Sequence, residues 1–393
     1  MTDVSPRLAT PIDAAALRAR EFAALERDGA VYLNSASTGP LPARARAVLD
    51  DLNARRATPH RVPQEAQFGP LARARELCAR LVGAETAEIA LEVNTSYGVN
   101  LAARALPLRP DETIVVSDRE FPANVYPWMA LERARGARLR LVPTVDELPD
   151  EEGLLAALDE PGVRVLAVSW VQFGTGYRAD LARLGRACRE RGIWFVVDAI
   201  QGLGPATLDV RACHVDVLAC GGQKWLLSPW GTGFAYVRRE LLDVLQPPDV
   251  GWLAVRGADD FTHLTDYDLT WRDSAWRYEV GTLPYQDFAA MVASLELLFE
   301  LGPERVAAHA TMLADRIVDW ALANPDRARL VTPADAARRA GIVSLVPADG
   351  AAALARLAAA GVVFSDREGA VRLAPHCFNT TDDVDAALRA LEG

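Results

Sequence analysis

Lysine is almost absent from this chain: of its 42 Lys and Arg residues a single one, Lys224, is lysine. Clustered basic residues are missing too, and with a formal net charge of −11 this excludes a phosphate-backbone binder, whose affinity rests on massed Lys and Arg. No stretch approaches the roughly 18 uninterrupted apolar residues of a membrane span, and the opening "MTDVSPRLATPIDAAALRAR" lacks the apolar centre of a secretion signal. A cytoplasmic location is expected, with neither nucleic acid nor membrane as partner. The five cysteines, Cys78, Cys188, Cys213, Cys220 and Cys377, are odd in number and scattered, which suits reduced thiols better than a disulfide framework. The five histidines form no ligand spacing with them, so no metal is expected. No G-K-[ST] occurs, and "QGLGPAT" carries Thr207 where a dinucleotide fingerprint needs its third glycine.

What is present reads as a folded enzyme: 393 residues, 50% hydrophobic and 24% charged, enough for two cores. From about residue 88 to 240 short apolar runs alternate with helical patterns, the signature of a mostly parallel sheet with crossover helices. The expected strands are "EIALEV", "ETIVVSD", "ARLRLVP", "VRVLAVSW", "GIWFVVDA", "VDVLACGG" and "GFAYVRR". Such a sheet places its chemistry beyond the carboxyl ends of its strands. Residues 250 to 285 lose periodicity and read as an ordered connection, after which two amphipathic helices begin at Pro284 and Pro303. A smaller α/β unit follows, with strands in "AGIVSLVP", "GVVFSD" and "GAVRLAPH" and a helix capped by Thr380 or Thr381. The expected division is an N-terminal segment 1–30, a large domain 31–285 and a small domain 286–393.

Lys224 stands in "CGGQKWLLSPWGTG", after a strand and before a Gly/Pro-rich turn. A partly desolvated amine there forms an imine with an aldehyde; a plain surface lysine is the alternative. Asp198 ends "GIWFVVDAIQ", where a carboxylate is costly unless it meets a cation such as a pyridinium nitrogen, or serves as a cap. Gln201 lies three residues on, within reach of a ring oxygen. In "LEVNTSYGVN" a strand gives way to a helix at Thr95 and Ser96, which read as a phosphate site or as capping residues. Phe121 in "SDREFPANVYPW" reads as a ring-stacking or a core aromatic, and Arg372 in "GAVRLAPHCFNT" as a carboxylate clamp or a surface group.

In this order, phosphate turn, aromatic, aspartate, lysine and distal arginine, the residues resemble the class V aminotransferase family of pyridoxal-phosphate enzymes, from "YLNSASTGPLP" to the end of the chain. The family includes cysteine desulfurases, selenocysteine lyases, isopenicillin N epimerase-like proteins and kynureninases. The resemblance implies fold type I, with a seven-stranded sheet in the large domain, and pyridoxal 5'-phosphate as cofactor. It implies Lys224 as the Schiff-base lysine and catalytic base, Asp198 on the pyridine nitrogen, Gln201 on the phenolic oxygen and Phe121 over the ring. Thr95, Ser96 and Gln223 resemble phosphate ligands, and Gln172 lies near a family amide. Asn34, Ala36 and Ser37 line the mouth, and Arg372 binds the substrate carboxylate. Thr282, in "RYEVGT", resembles a threonine that contacts the phosphate of a neighbouring subunit, implying a homodimer with shared sites.

The same resemblance weighs against a persulfide-forming desulfurase: "AGVVFSDREGAV" has no cysteine where desulfurases carry their nucleophile, and Phe121 replaces a proton-moving histidine. "WLLSP" after Lys224 does not suit kynureninase. An epimerase-like, C–S lyase-like or aminotransferase activity on an amino acid is expected; desulfurase or selenocysteine lyase activity, or a non-catalytic binding protein, is the alternative.

Overall fold

The computed structural model describes residues 11–63 and 65–393. A first short strand, β1 (Val31–Tyr32), precedes the main sheet, whose strands are β2 (Ile89–Glu92), β3 (Thr113–Ser117), β4 (Arg138–Val142), β5 (Val163–Ser169), β6 (Trp194–Asp198), β7 (Val217–Gly221) and β8 (Gly233–Val237). They pair in the order β2-β8-β7-β6-β5-β3-β4, and only β8 runs antiparallel to its neighbours. Their near-continuous apolar sequences follow from cover on both faces. Val115, Leu166, Phe195, Val197 and Leu218 point into one core, while Ile114, Val165, Val196 and Val217 point into the other. Strand β4, at the edge, is the exception and exposes its arginines.

The four central strands β3, β5, β6 and β7 are parallel, so their carboxyl ends converge on one rim. There Ser169, Asp198 and Ala219 stand side by side on adjacent strands. The helix Thr95–Ala105 starts at the same rim, capped by Asn94, whose side chain accepts the Tyr97 N–H at 3.0 Å.

The smaller unit holds an antiparallel sheet of β9 (Ala328–Leu330), β10 (Val343–Pro347), β12 (Ser365–Arg367) and β13 (Ala370–Leu373), and a strand β11 (Val362–Val363) that pairs with β1. The run "GVVFSD" is thus divided between two sheets. Helices Pro303–Ala323, Ala351–Ala359 and Thr381–Glu392 cover it through Leu313, Ile317, Leu357, Val384 and Leu388. Thr380 caps the last helix, with the Asp383 carboxylate accepting the Thr380 N–H in return at 2.9 Å.

The cores do not follow the sequence in simple blocks. Leu33 is packed in the small core, while Phe288, Met291 and Leu295 of the helix Tyr285–Leu301 are packed in the large one. That helix lies on Ala43–Arg56 and Glu65–Val82. The helix Ala14–Glu21 is tied to the end of the chain, since Arg18 donates to the Phe378 carbonyl and pairs with Asp383. Residues 250–284 contain the short 3-10 turns Trp252–Ala254 and Ala275–Tyr278 and an isolated antiparallel bridge between Val255 and Trp271, and are held by the buried Arg75–Glu279 pair, 2.6 Å apart.

Candidate active site

Lys224 follows β7 in a turn braced from three sides. The Gly221 N–H donates to Thr95 Oγ1 at 2.8 Å, the Gly222 N–H to the Thr232 carbonyl at 2.8 Å and the Gly39 N–H to the Gln223 carbonyl at 2.8 Å. Gly39 is required for this approach: a Cβ there would lie 2.1 Å from the Lys224 carbonyl oxygen. Burial draws the lysine pKa down to about 8, opposed by the charge of Asp198 and assisted by those of Arg372 and Arg367. A sizeable fraction of the amine is therefore neutral near physiological pH, as a nucleophile must be.

Asp198 is 3% exposed at the end of β6, and among the described residues its carboxylate has one hydrogen-bond partner, the Ile200 N–H, at 3.0 Å from Oδ1. Burial raises its pKa to about 6, against the pull of that N–H and of Lys224. Beside it, Glu120 accepts the Ser169 N–H at 2.7 Å and its hydroxyl; burial lifts this carboxyl to about 7, with the Asp198 charge adding to the effect. Gln201 is buried, with Nε2 donating to the Ala36 carbonyl at 3.0 Å and Oε1 accepting the Trp225 indole N–H at 2.8 Å. His376 takes the Cys377 N–H on Nδ1 at 2.6 Å, so its Nε2 carries the proton given to the Trp225 carbonyl at 2.9 Å. Burial takes this histidine down to about 4, keeping it neutral.

Thr95 and Ser96 begin their helix, so their N–H groups have no intrahelical acceptor and face the rim with the positive end of the helix dipole. Gln223 lies against the same corner: a Cβ on Gly221 would come within 2.4 Å of its Oε1 and 3.2 Å of Thr95 Oγ1. Phe121, 44% exposed and meeting Phe173 edge-on at 5.2 Å, places its ring 5.7 Å from Lys224 Nζ.

Arg372 is 2% exposed. It donates from Nη1 to the Phe173 carbonyl at 2.7 Å and from Nη2 to Ser37 Oγ at 2.7 Å, while its buried Nε has no partner among the described residues. Ser365 bridges Ser37, at 2.9 Å, and Asn34, at 2.8 Å. Burial, then the neighbouring Arg367, pulls the guanidinium down to about 10, which leaves it charged at neutral pH.

The structure thus gathers Lys224, Asp198, Gln201, Thr95, Ser96, Gln223, Phe121, Arg372, Asn34, Ala36 and Ser37 at one rim. Gln172 lies beside them, but its amide braces its own loop, donating to the Arg119 carbonyl at 2.8 Å and accepting from Thr175 N at 2.6 Å. Thr282 is exposed elsewhere, next to Leu52, Arg56 and Tyr285. Sequence reasoning missed Gly39, Glu120, Ser365 and His376; only the "STGP" turn offered a cue to the first.

A flat pyridine aldehyde bearing a phosphate fits this donor set. An amine that is readily neutral, a buried carboxylate awaiting a cation, an amide with one N–H to spare, an apolar ring and a helix N-terminus are what its four polar points and its face require. Residues 31–389 match the family model described as aminotransferase class-V. The chain is 29% identical over 386 residues to a probable cysteine desulfurase of Aeropyrum pernix, covering 94% of this chain and 90% of that protein. It is also 29% identical over 383 residues to isopenicillin N epimerase of Streptomyces clavuligerus, covering 92% and 94%. Among solved structures, the apo cysteine desulfurase of Thermococcus onnurineus NA1 superposes with a TM-score of 0.84 at 22% identity, covering 98% of each chain. With the seven-stranded sheet and the lysine rim both in place, the chain belongs to the class V aminotransferase family, whose members are pyridoxal-phosphate-dependent enzymes.

Proposed function

We propose that the protein removes the α-proton of an amino acid with Lys224 as its single base, and that no enzyme cysteine takes part in the reaction. The orphan Nε of buried Arg372 is the observation that carries this reading. A buried guanidinium donor without an acceptor is costly, and a substrate carboxylate supplies the acceptor next to the lysine. Lys224, Asp198, Gln201, Thr95, Ser96, Gln223 and Phe121 would hold the cofactor, which supplies an electron sink for the carbanion when bound. Asp198 keeps a proton on the pyridine nitrogen, the helix start and Gln223 take the phosphate, and Arg372 with Ser37 fixes the carboxylate. Phe121 and Phe173 present hydrocarbon, so Lys224 both accepts and returns the proton.

Cysteine usage supports the second half. Cys78, Cys188, Cys220 and Cys377 are buried and Cys213 is half-buried; burial raises every one of these thiols, Cys213 to about 11. The outcome at the α-carbon is epimerisation, transamination or loss of a β-substituent, without a persulfide on the protein. Unpaired thiols suit a cytoplasmic location, and exposed Thr282, in its "RYEVGT" segment, supports a homodimer in which it serves the second copy's site. The test is hydrogen exchange: in D2O the wild type exchanges the α-proton of at least one amino acid from a panel, and Lys224→Ala does not. Exchange that persists in Lys224→Ala, or a protein-bound persulfide formed from cysteine, overturns the proposal.

A further inference from the structure

Next to the site, between the loops 118–122 and 172–175 and the small-domain strands, lies a cleft of about 570 Å³. Its cations are Arg119, Arg329 and Arg367, and its carboxylates are Asp118, Glu120, Glu147 and Glu368. The carboxylates are all engaged. Glu368 faces Arg119 at 3.5 Å, Glu147 faces Arg329 at 3.0 Å, Asp118 accepts the Thr144 N–H and Glu120 holds Ser169. Arg367 alone among these cations has no carboxylate partner among the described residues. Its one hydrogen bond there is a long one, 3.5 Å, to the Asp366 carbonyl.

Strand register places that charge relative to Arg372. β12 and β13 are antiparallel, with Ser365 opposite Arg372 and Arg367 opposite Ala370. Side chains directly opposite share a face, and residues two apart along a strand share it too. Ser365 proves which face, because its hydroxyl meets Ser37 and Asn34 inside the site. Arg367 is therefore the diagonal neighbour of Arg372 on the substrate side, at a backbone separation of about 7–8 Å. Its charge also depresses the pKa of both Lys224 and Arg372.

We infer that Arg367 is a specificity-determining residue that binds a second anionic group, a carboxylate-class acid a few bonds along the side chain of the amino-acid substrate. This rests on the assignment of Arg372 to the α-carboxylate. With Arg372 holding one end of the substrate and Lys224 at the α-carbon, the side chain leaves past Phe173 into the cleft, where one cation lacks a counter-ion. An acidic amino acid satisfies it; a neutral one leaves it to water. A charge-assisted pair at this exposed position is worth roughly a threefold preference, fivefold at most.

The experiment uses the cofactor-loaded protein and two unreactive probes, glutarate with two carboxylates and butyrate with one, titrated against the visible absorbance of the bound cofactor. Wild type is expected to bind glutarate about threefold tighter than butyrate, Arg367→Ala to bring that ratio to about one, and Arg367→Lys to restore part of it. A wild-type ratio near one, no glutarate binding at all, or a ratio unaffected by Arg367→Ala overturns the inference. The failure of the underlying assignment is seen separately: it removes the cofactor band from wild type, or leaves butyrate binding insensitive to Arg372→Ala.

Discussion

Asp198 is the residue on which binding and stability pull in opposite directions. In the cofactor-free protein it is a carboxylate with 3% exposure and one hydrogen bond among the described residues, and its pKa stands at about 6 instead of 3.8. The fold thus holds the proton more tightly than the unfolded chain does. Stability drawn from this group is full below about pH 4, is lost as pH rises towards 6, and above that the buried charge stands as a constant cost of about 3 kcal/mol. Asparagine keeps the oxygen that accepts the Ile200 N–H and removes the charge. Asp198→Asn is expected to raise the unfolding free energy of the cofactor-free protein by up to ~3 kcal/mol at pH 8 and by almost nothing at pH 4, less the lost attraction for Lys224. Urea unfolding of both proteins at the two pH values measures it. Pyridoxal phosphate then inverts the order, because a pyridinium compensates the carboxylate: it stabilises the wild type more than the variant and binds the variant more weakly. A variant no more stable than wild type at pH 8, or a gain equal at both pH values, refutes the reasoning.

Four further outcomes follow from the geometry. The rate at which apo protein captures pyridoxal phosphate rises about tenfold per pH unit below 8 and levels off above it, since only the neutral form of Lys224 attacks; stopped-flow absorbance gives the profile. Borohydride reduction of the loaded protein labels one side chain, Lys224, because it is the chain's sole lysine, and peptide mass mapping locates it. Gly39→Ala, with a Cβ 2.1 Å from the Lys224 carbonyl, costs at least the ~1–3 kcal/mol of overpacking and slows cofactor capture, whereas Gly69→Ala, in a helix with open space around the new Cβ, leaves capture unchanged. Arg75→Met strands the Glu279 carboxylate, which also accepts the Leu91 N–H at 2.9 Å, and lowers stability by about 3–5 kcal/mol in thermal unfolding.

Much of the fold was legible because burial on both faces leaves a plain mark. Each main-sheet strand except the edge strand β4 is a short apolar run between turns, and all seven fall within the segments expected from the sequence. The elements that left no mark are the ones whose existence depends on partners far along the chain. β1 is two residues that form a strand only because Val362 and Val363 come alongside, and β9 exposes Arg329 in mid-strand. The same dependence moves Leu33 into the small core and Phe288 into the large one: an amphipathic pattern announces that a face will be buried but not against what.

The site residues divide on the same physical line. Lys224, Asp198 and Thr95 stand at strand or helix ends, where local pattern already says that something must be exposed at the rim. The orientation of Gln201 is different in kind. Turning its amide over would set Nε2 against the Trp225 indole N–H and Oε1 against the Ala36 carbonyl, replacing two hydrogen bonds with two repulsions. The amide is therefore locked with its remaining N–H free, so that it can donate to a ring oxygen but not accept from one. That lock depends on where Trp225 sits, and Trp225 is placed by the neutral His376 and by two glycines: a Cβ on Gly204 or Gly341 would come within 2.8 Å of it. Trp225→Phe deletes the N–H, frees the amide to turn, and shifts the pH midpoint of the cofactor's visible band. Trp230→Phe makes the same exchange at a tryptophan that is 74% exposed and outside the lock, and it leaves the midpoint where it was. An unmoved midpoint in Trp225→Phe means that the amide's orientation is held by Ala36 alone and that the indole serves only to fill space.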